Sequence, residues 1–210
     1  MSVRSLSEVL SEFIESIEAE KVSLADILEA FHERGFGIIW LIFAAPMALP
    51  IPVPPGINVL LATPLLLISV QMMLKRHTLW MPEKVKQRQF SSAKLKATLK
   101  AVIPWLRKIE VLVKPRLEFM TQSTMSSLAG FLGIFMALAV CVPVPLSNTV
   151  PSFGIAMMAI GILNRDGLAV IFGMLAGTIW VVGMTWLAIF FGMEGFEMAK
   201  DFIKSMLGLA

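Results

Sequence analysis

The chain has 210 residues, 57% of them hydrophobic and 16% charged, with a net charge of +3 and a mean hydropathy of +0.78. About half of an ordinary soluble domain is apolar, so this composition points to a membrane and away from a freely soluble enzyme. The length suits one compact domain, and a lone cysteine, Cys141, excludes a disulfide framework.

In chain order, the opening "MSVRSLSEVLSEFIESIEAE" is acidic and lacks the short apolar core expected of a signal peptide. Residues 5–20 and 23–34 read as amphipathic helices. Leu6, Leu10, Phe13 and Ile17 share one face, with Glu8, Glu12 and Glu15 off it. "SLAD" at 23–26 reads as a capping box with Asp26 in the place of the usual Glu. Residues 35–49 are apolar but shorter than the roughly 20 residues of a full span. Prolines at 46, 50, 52, 54 and 55 then interrupt the run, and residues 56–74 form a second apolar segment. Proline lacks an amide donor and clashes with the preceding turn, so a helix breaks there.

Residues 77–127 are amphipathic and basic. Leu95, Leu99, Val102, Leu106, Ile109 and Val113 recur at helical spacing, while Lys100, Arg107 and Lys108 exclude a spanning helix. The expected arrangement is one or two helices at the membrane interface, anchored by Trp80 and Trp105. Residues 128–142 are short and apolar, a break follows at "VPVPLSN", and 146–163 form its partner. Residues 167–192 are the long transmembrane candidate, and 194–210 form a mildly amphipathic tail.

The two halves repeat a pattern: a short apolar helix, Pro-Val-Pro, a second apolar helix, a charged stop. Pro52-Val53-Pro54 matches Pro143-Val144-Pro145, and Asn58 stands roughly where Asn148 does. The expected fold is therefore an all-α polytopic membrane protein. It combines an internal repeat of Pro-broken, re-entrant helical hairpins with interfacial amphipathic helices. The expected segments are 1–34, 35–76, 77–127, 128–166, 167–193 and 194–210 of a single membrane domain. Paired breaks at membrane depth are how many transporters build a midplane site; turns that merely pack the bundle are the other reading.

Charge is unevenly placed. Residues 1–34 hold eight acids and three bases, and residues 75–118 hold twelve bases and three acids. A basic block beside apolar segments marks the cytoplasmic side and suits anionic lipid headgroups. No stacking aromatics accompany it in a nucleic-acid module. The candidate binding residues are Asn58, Thr63, Gln71, Ser147, Asn148, Arg165 and Asp166, with a basic cluster of Arg34, Lys75 and Arg76. Buried Asn, Gln, Ser and Thr also serve simply to join helices, and the basic residues also serve as topology anchors. His32 and His77 lack metal-ligand spacing, and no catalytic constellation, metal site or cofactor motif is visible.

"LADILEAFHERGFG", "PVPPG", "LLLISVQMMLKRHTLWMP" and "VPLSNTVPSFGIAMMAIGILNRDG" together resemble the ExoD-type exopolysaccharide-synthesis family of bacterial membrane proteins. The resemblance covers most of residues 20–180. Ser147 departs from it, because the family often has glycine there. The resemblance implies a multi-pass inner-membrane protein supporting exopolysaccharide synthesis or export. The expected action is to bind or transport a small anion, ion or lipid-linked phosphate between the two hairpins. A non-transporting scaffold for polysaccharide synthases and a lipid-carrier enzyme are the alternatives. Expected partners are anionic lipids, polysaccharide-synthesis proteins and further copies of the chain, and not nucleic acid.

Overall fold

A computed structural model describes residues 6–23, 25–26, 35–49, 56–76, 78–87, 89–142 and 148–206. The Pro-Val-Pro breaks, Arg34, His32, His77 and Ser147 lie outside the described residues, as do the side chains of Val102, Trp105, Leu106 and Ile109. Helix dominates: α1 Leu6–Ser16, α2 Gly35–Ala48, α3 Ile57–Met73, α4 Glu83–Lys86, α5 Ser92–Leu112, α6 Ser123–Cys141, α7 Thr149–Asn164 and α8 Gly167–Met206. One antiparallel ribbon joins β1 Lys21–Ser23 to β2 Gln89–Ser91, pairing Val22 with Phe90. The sequence pattern did not announce it, since three-residue strands are too short to show a period.

Among the described residues, two helices are long and apolar enough to cross a membrane, over Thr124–Cys141 in α6 and Gly167–Phe191 in α8; α2, α3 and α7 are apolar but shorter. Helix α6 begins five residues ahead of the expected segment, and α8 runs without interruption into the expected tail as far as Met206. Large apolar side chains face outward along α8, among them Phe172, Leu175, Ile179, Val182 and Trp186. Such a stripe in water marks a membrane or partner contact.

α2, α3, α6 and α7 form a bundle with α8 laid against α6 and α7. Their core is continuous through Trp40, Met47, Leu65, Met136, Val140, Ile155 and Met158, all fully or nearly fully buried. Trp40 donates from Nε1 to the Leu65 carbonyl and to Ser69 Oγ, so its buried polar end is satisfied. Its indole occupies the space left by Gly133, where a Cβ would lie 2.5 Å from the ring.

The helices pack antiparallel in matched registers. A Cβ on Gly130 of α6 would lie 2.6 Å from Met73 N and 2.7 Å from Ser69 O of α3. A Cβ on Gly37 of α2 would meet Leu163 at 2.8 Å and the Ala159 carbonyl at 3.4 Å on α7. The second pair of contacts stands 90 positions on from the first, at 69 and 73 against 159 and 163. Both second helices also end alike. Arg76 N donates to Gln71 O and Lys75 N to Met72 O; Asp166 N donates to Gly161 O and Arg165 N to Ile162 O. Lys75 and Arg165 hold left-handed backbone, with φ of 54° and 53°. Each is a Schellman stop, and again the two are 90 positions apart.

A second core seats the N-terminal elements. Leu10, Phe13 and Ile14 of α1 and Ile17 just past it are buried with Val22, Ile103 and Leu163, and Leu95 and Leu99 of α5 pack at the edge. Ser7 donates from its amide and hydroxyl to the Glu110 carboxylate at 2.8 and 2.6 Å. Lys96 Nζ donates to the Ile17 carbonyl at 2.8 Å. The expected capping box forms: Ser23 N donates to Asp26 Oδ2 and Asp26 N to Ser23 Oγ.

Candidate functional site

The helix directions bring four helix ends to one level: the C-termini of α2 and α6 and the N-termini of α3 and α7. Met73 lies against Gly130 and Leu163 against Gly37, at the opposite end. Asn58 precedes Met73 by fifteen positions, and Asn148 precedes Leu163 by fifteen. Both asparagines therefore stand about 22 Å up their helices from that end. Each is 8% exposed.

Around this level lie three buried side-chain oxygens without a hydrogen-bond partner: Asn58 Oδ1, Ser152 Oγ and Thr178 Oγ1. Gly154 of α7 approaches Gly173 and Gly177 of α8, with a Cβ at 154 lying 2.9 Å from the Gly173 carbonyl. Continuing that antiparallel register by two residues sets Ser152 level with Thr178. Ser152 is one helical turn below Asn148, whose carbonyl accepts from its amide at 3.1 Å. An unsatisfied buried polar group costs about 1–3 kcal/mol, and buried polar groups are ordinarily paired. The three stand at one level of the bundle, two on the adjoining α7 and α8 and one on α3, and buried groups of this kind are completed by water or a ligand.

The other candidates fall elsewhere. Thr63 is exposed, and its hydroxyl bonds back to the Val59 carbonyl at 2.7 Å. Gln71 sits near the far end of α3, where it clips the loop. Its Nε2 donates to the Trp80 carbonyl at 3.0 Å, and its Oε1 accepts from the Trp80 amide at 2.6 Å. Arg165 and Asp166 lie past the 16-residue α7, about 24 Å from Asn148. One small ligand does not touch both ends, so these two residues do not join the asparagines.

Asp166 has a structural task at its own end. It is 1% exposed. Its Oδ1 accepts from the Leu168 amide at 2.9 Å and the Ala169 amide at 3.4 Å, capping α8. Arg116 Nε donates to both carboxylate oxygens at 3.1 and 3.2 Å. Backbone bonds Gly167 N to Arg116 O and Arg116 N to Arg165 O complete the junction. The partner of Asp166 is therefore Arg116 and not its neighbour Arg165. Lys75, Arg76 and Arg165 are exposed at this same end. No group of three or more potential metal-binding side chains occurs among the described residues.

Ser152 and Thr178 escaped sequence reasoning because single hydroxyls in apolar helices usually bond back to their own turn. Ser152, one turn from Asn148, was the readable signal.

Residues 6–186 match the family described as "Exopolysaccharide synthesis, ExoD". The chain belongs to the ExoD family. It is 30% identical over 176 residues to Protein ExoD of Rhizobium meliloti, covering 80% of this chain and 71% of that one. It is 31% identical over 211 residues to an uncharacterized protein of Synechocystis, covering 97% of this chain and 98% of that one. No solved structure matches. Membership in ExoD implies a role in exopolysaccharide synthesis and association with a membrane, which the two long apolar helices fit.

Proposed function

We propose that the chain is a multi-pass protein of the bacterial inner membrane that supports exopolysaccharide synthesis by binding and moving a small ion or lipid-linked phosphate between two repeated, re-entrant hairpins. The hairpins are α2–α3 and α6–α7. The observation that carries this is the 90-position equivalence. It relates the packing against Gly130 and Gly37, the two Schellman stops, and Asn58 with Asn148. Because α2 and α6 run the same way, the repeat axis lies along the bundle, so the hairpins enter from one side. The 14-residue α2 reaches only about 21 Å, against roughly 30 Å of hydrocarbon. With the charged end at the cytoplasmic interface, the breaks then lie inside the membrane.

Replacement of Asn148 by Ala tests the site. Exopolysaccharide output of a complemented deletion strain falls while protein level holds, and flux through reconstituted vesicles falls with it. Full complementation, with no flux from the wild-type protein, removes the transport reading. Co-purification with synthase subunits in that case supports the scaffold.

A further inference from the structure

The three unpartnered oxygens identify the chemistry of what fills the break level. Asn58 Oδ1 is an amide oxygen, which accepts and never donates. It is satisfied by a cation or a donor, not by an anion's oxygen. Ser152 Oγ and Thr178 Oγ1 each carry lone pairs as well. Residues 35–74, 119–164 and 167–193 contain no Asp, Glu, Lys, Arg or His. An anion at this depth would therefore meet no side-chain cation, and a multiply charged phosphate would fare worst. The four helix ends do not tip the balance: two N-termini bring partial positive charge and two C-termini partial negative charge. Neutral oxygens in a dry setting are how selectivity filters hold dehydrated alkali ions.

We infer that the break level between the hairpins binds a single monovalent alkali cation, with Asn58 Oδ1 and the Ser152 hydroxyl among its ligands. This rests on the two-hairpin reading above and names the ion of that site. Such an ion would couple movement of a second, bulkier substrate to its own gradient.

Cys141 supplies a native reporter, being the partly buried last residue of α6 at the break level. Purified protein in detergent is labelled with a maleimide at fixed pH and ionic strength. The salts are sodium chloride, potassium chloride and N-methylglucamine chloride. Either sodium or potassium slows labelling saturably, by about tenfold once the ion is near ten times its Kd, while N-methylglucamine does not. Asn58→Ala and Ser152→Ala, tested separately, each shift that protection to higher ion concentration. Equal rates in all three chlorides overturn the inference. Protection by sodium phosphate beyond that of sodium chloride also overturns it, yet leaves the two-hairpin site standing. That site fails separately, when Asn148→Ala complements in full.

Discussion

The junction at Asp166 shows how much one side chain can hold. Its carboxylate caps α8 and receives Arg116 while almost wholly buried. Asp166→Ala leaves two amides and a half-exposed guanidinium without their acceptor, at a cost of about 2 kcal/mol. Asp166→Asn keeps the cap and loses the charge, and costs about half as much. Thermal unfolding in detergent ranks the two, and equal midpoints would remove the ion pair from the account. At the N-terminal side, the Ser23 hydroxyl first and its backbone amide second lower the Asp26 carboxyl pKa. A lowered folded pKa stabilises at pH above the unfolded value of about 3.9 and loses that contribution as pH falls through the folded one. Ser23→Ala raises the Asp26 pKa toward its ordinary value, which a carboxyl-resolved NMR titration reads directly.

At the scale of elements, glycines set how closely helices approach. Gly130→Ala pushes a methyl group into the α3 backbone and costs about 1–3 kcal/mol. Gly183 has nothing within 4 Å of an added Cβ, so Gly183→Ala is neutral or slightly stabilising, Ala being the better helix former. Matched melting curves for the pair separate packing from propensity. The N-terminal helix is held by its apolar face. Among its described polar contacts with α5, Ser7 rests on an acid, Glu110. Exposed ion pairs contribute below about 1 kcal/mol each. Deletion of residues 1–20 therefore lowers thermal stability markedly, and added salt lowers it little. This face was readable in the sequence because Leu10, Phe13 and Ile17 recur at helical spacing. The β1–β2 ribbon was not, since its partners are some 70 residues apart and strand pairing of three residues leaves no periodic trace. Likewise Asn58 and Asn148 stood out as polar residues in apolar runs, whereas Gln71 looked the same in sequence and proved to be a loop clip. Polarity marks a candidate, and only the register tells which end of the helix it serves.

At the scale of the whole molecule, all the described charged junctions gather at one end of the short helices, and α8 alone continues beyond the other. Its 40 residues span about 60 Å. On the proposed topology, a cysteine in place of Lys96 and one in place of Ser205, each on a Cys141→Ser background, react with an impermeant reagent from opposite sides of the membrane. Labelling of both from one side would overturn that topology.

The interlocked packing bears on how the protein is made. α3 packs more extensively on α6 than on its own neighbour α2, and α2 more on α7. Neither hairpin closes its own core. Translation proceeds at about 5–20 residues per second, so the first hairpin waits on the order of ten seconds for the surface that completes it. On the proposed topology, the bilayer or an insertase shelters Gly37, Trp40 and Ser69 during that wait, without their final neighbours. On the proposed two-hairpin reading, every nascent copy on one messenger presents the same open surface, the condition under which identical chains exchange elements.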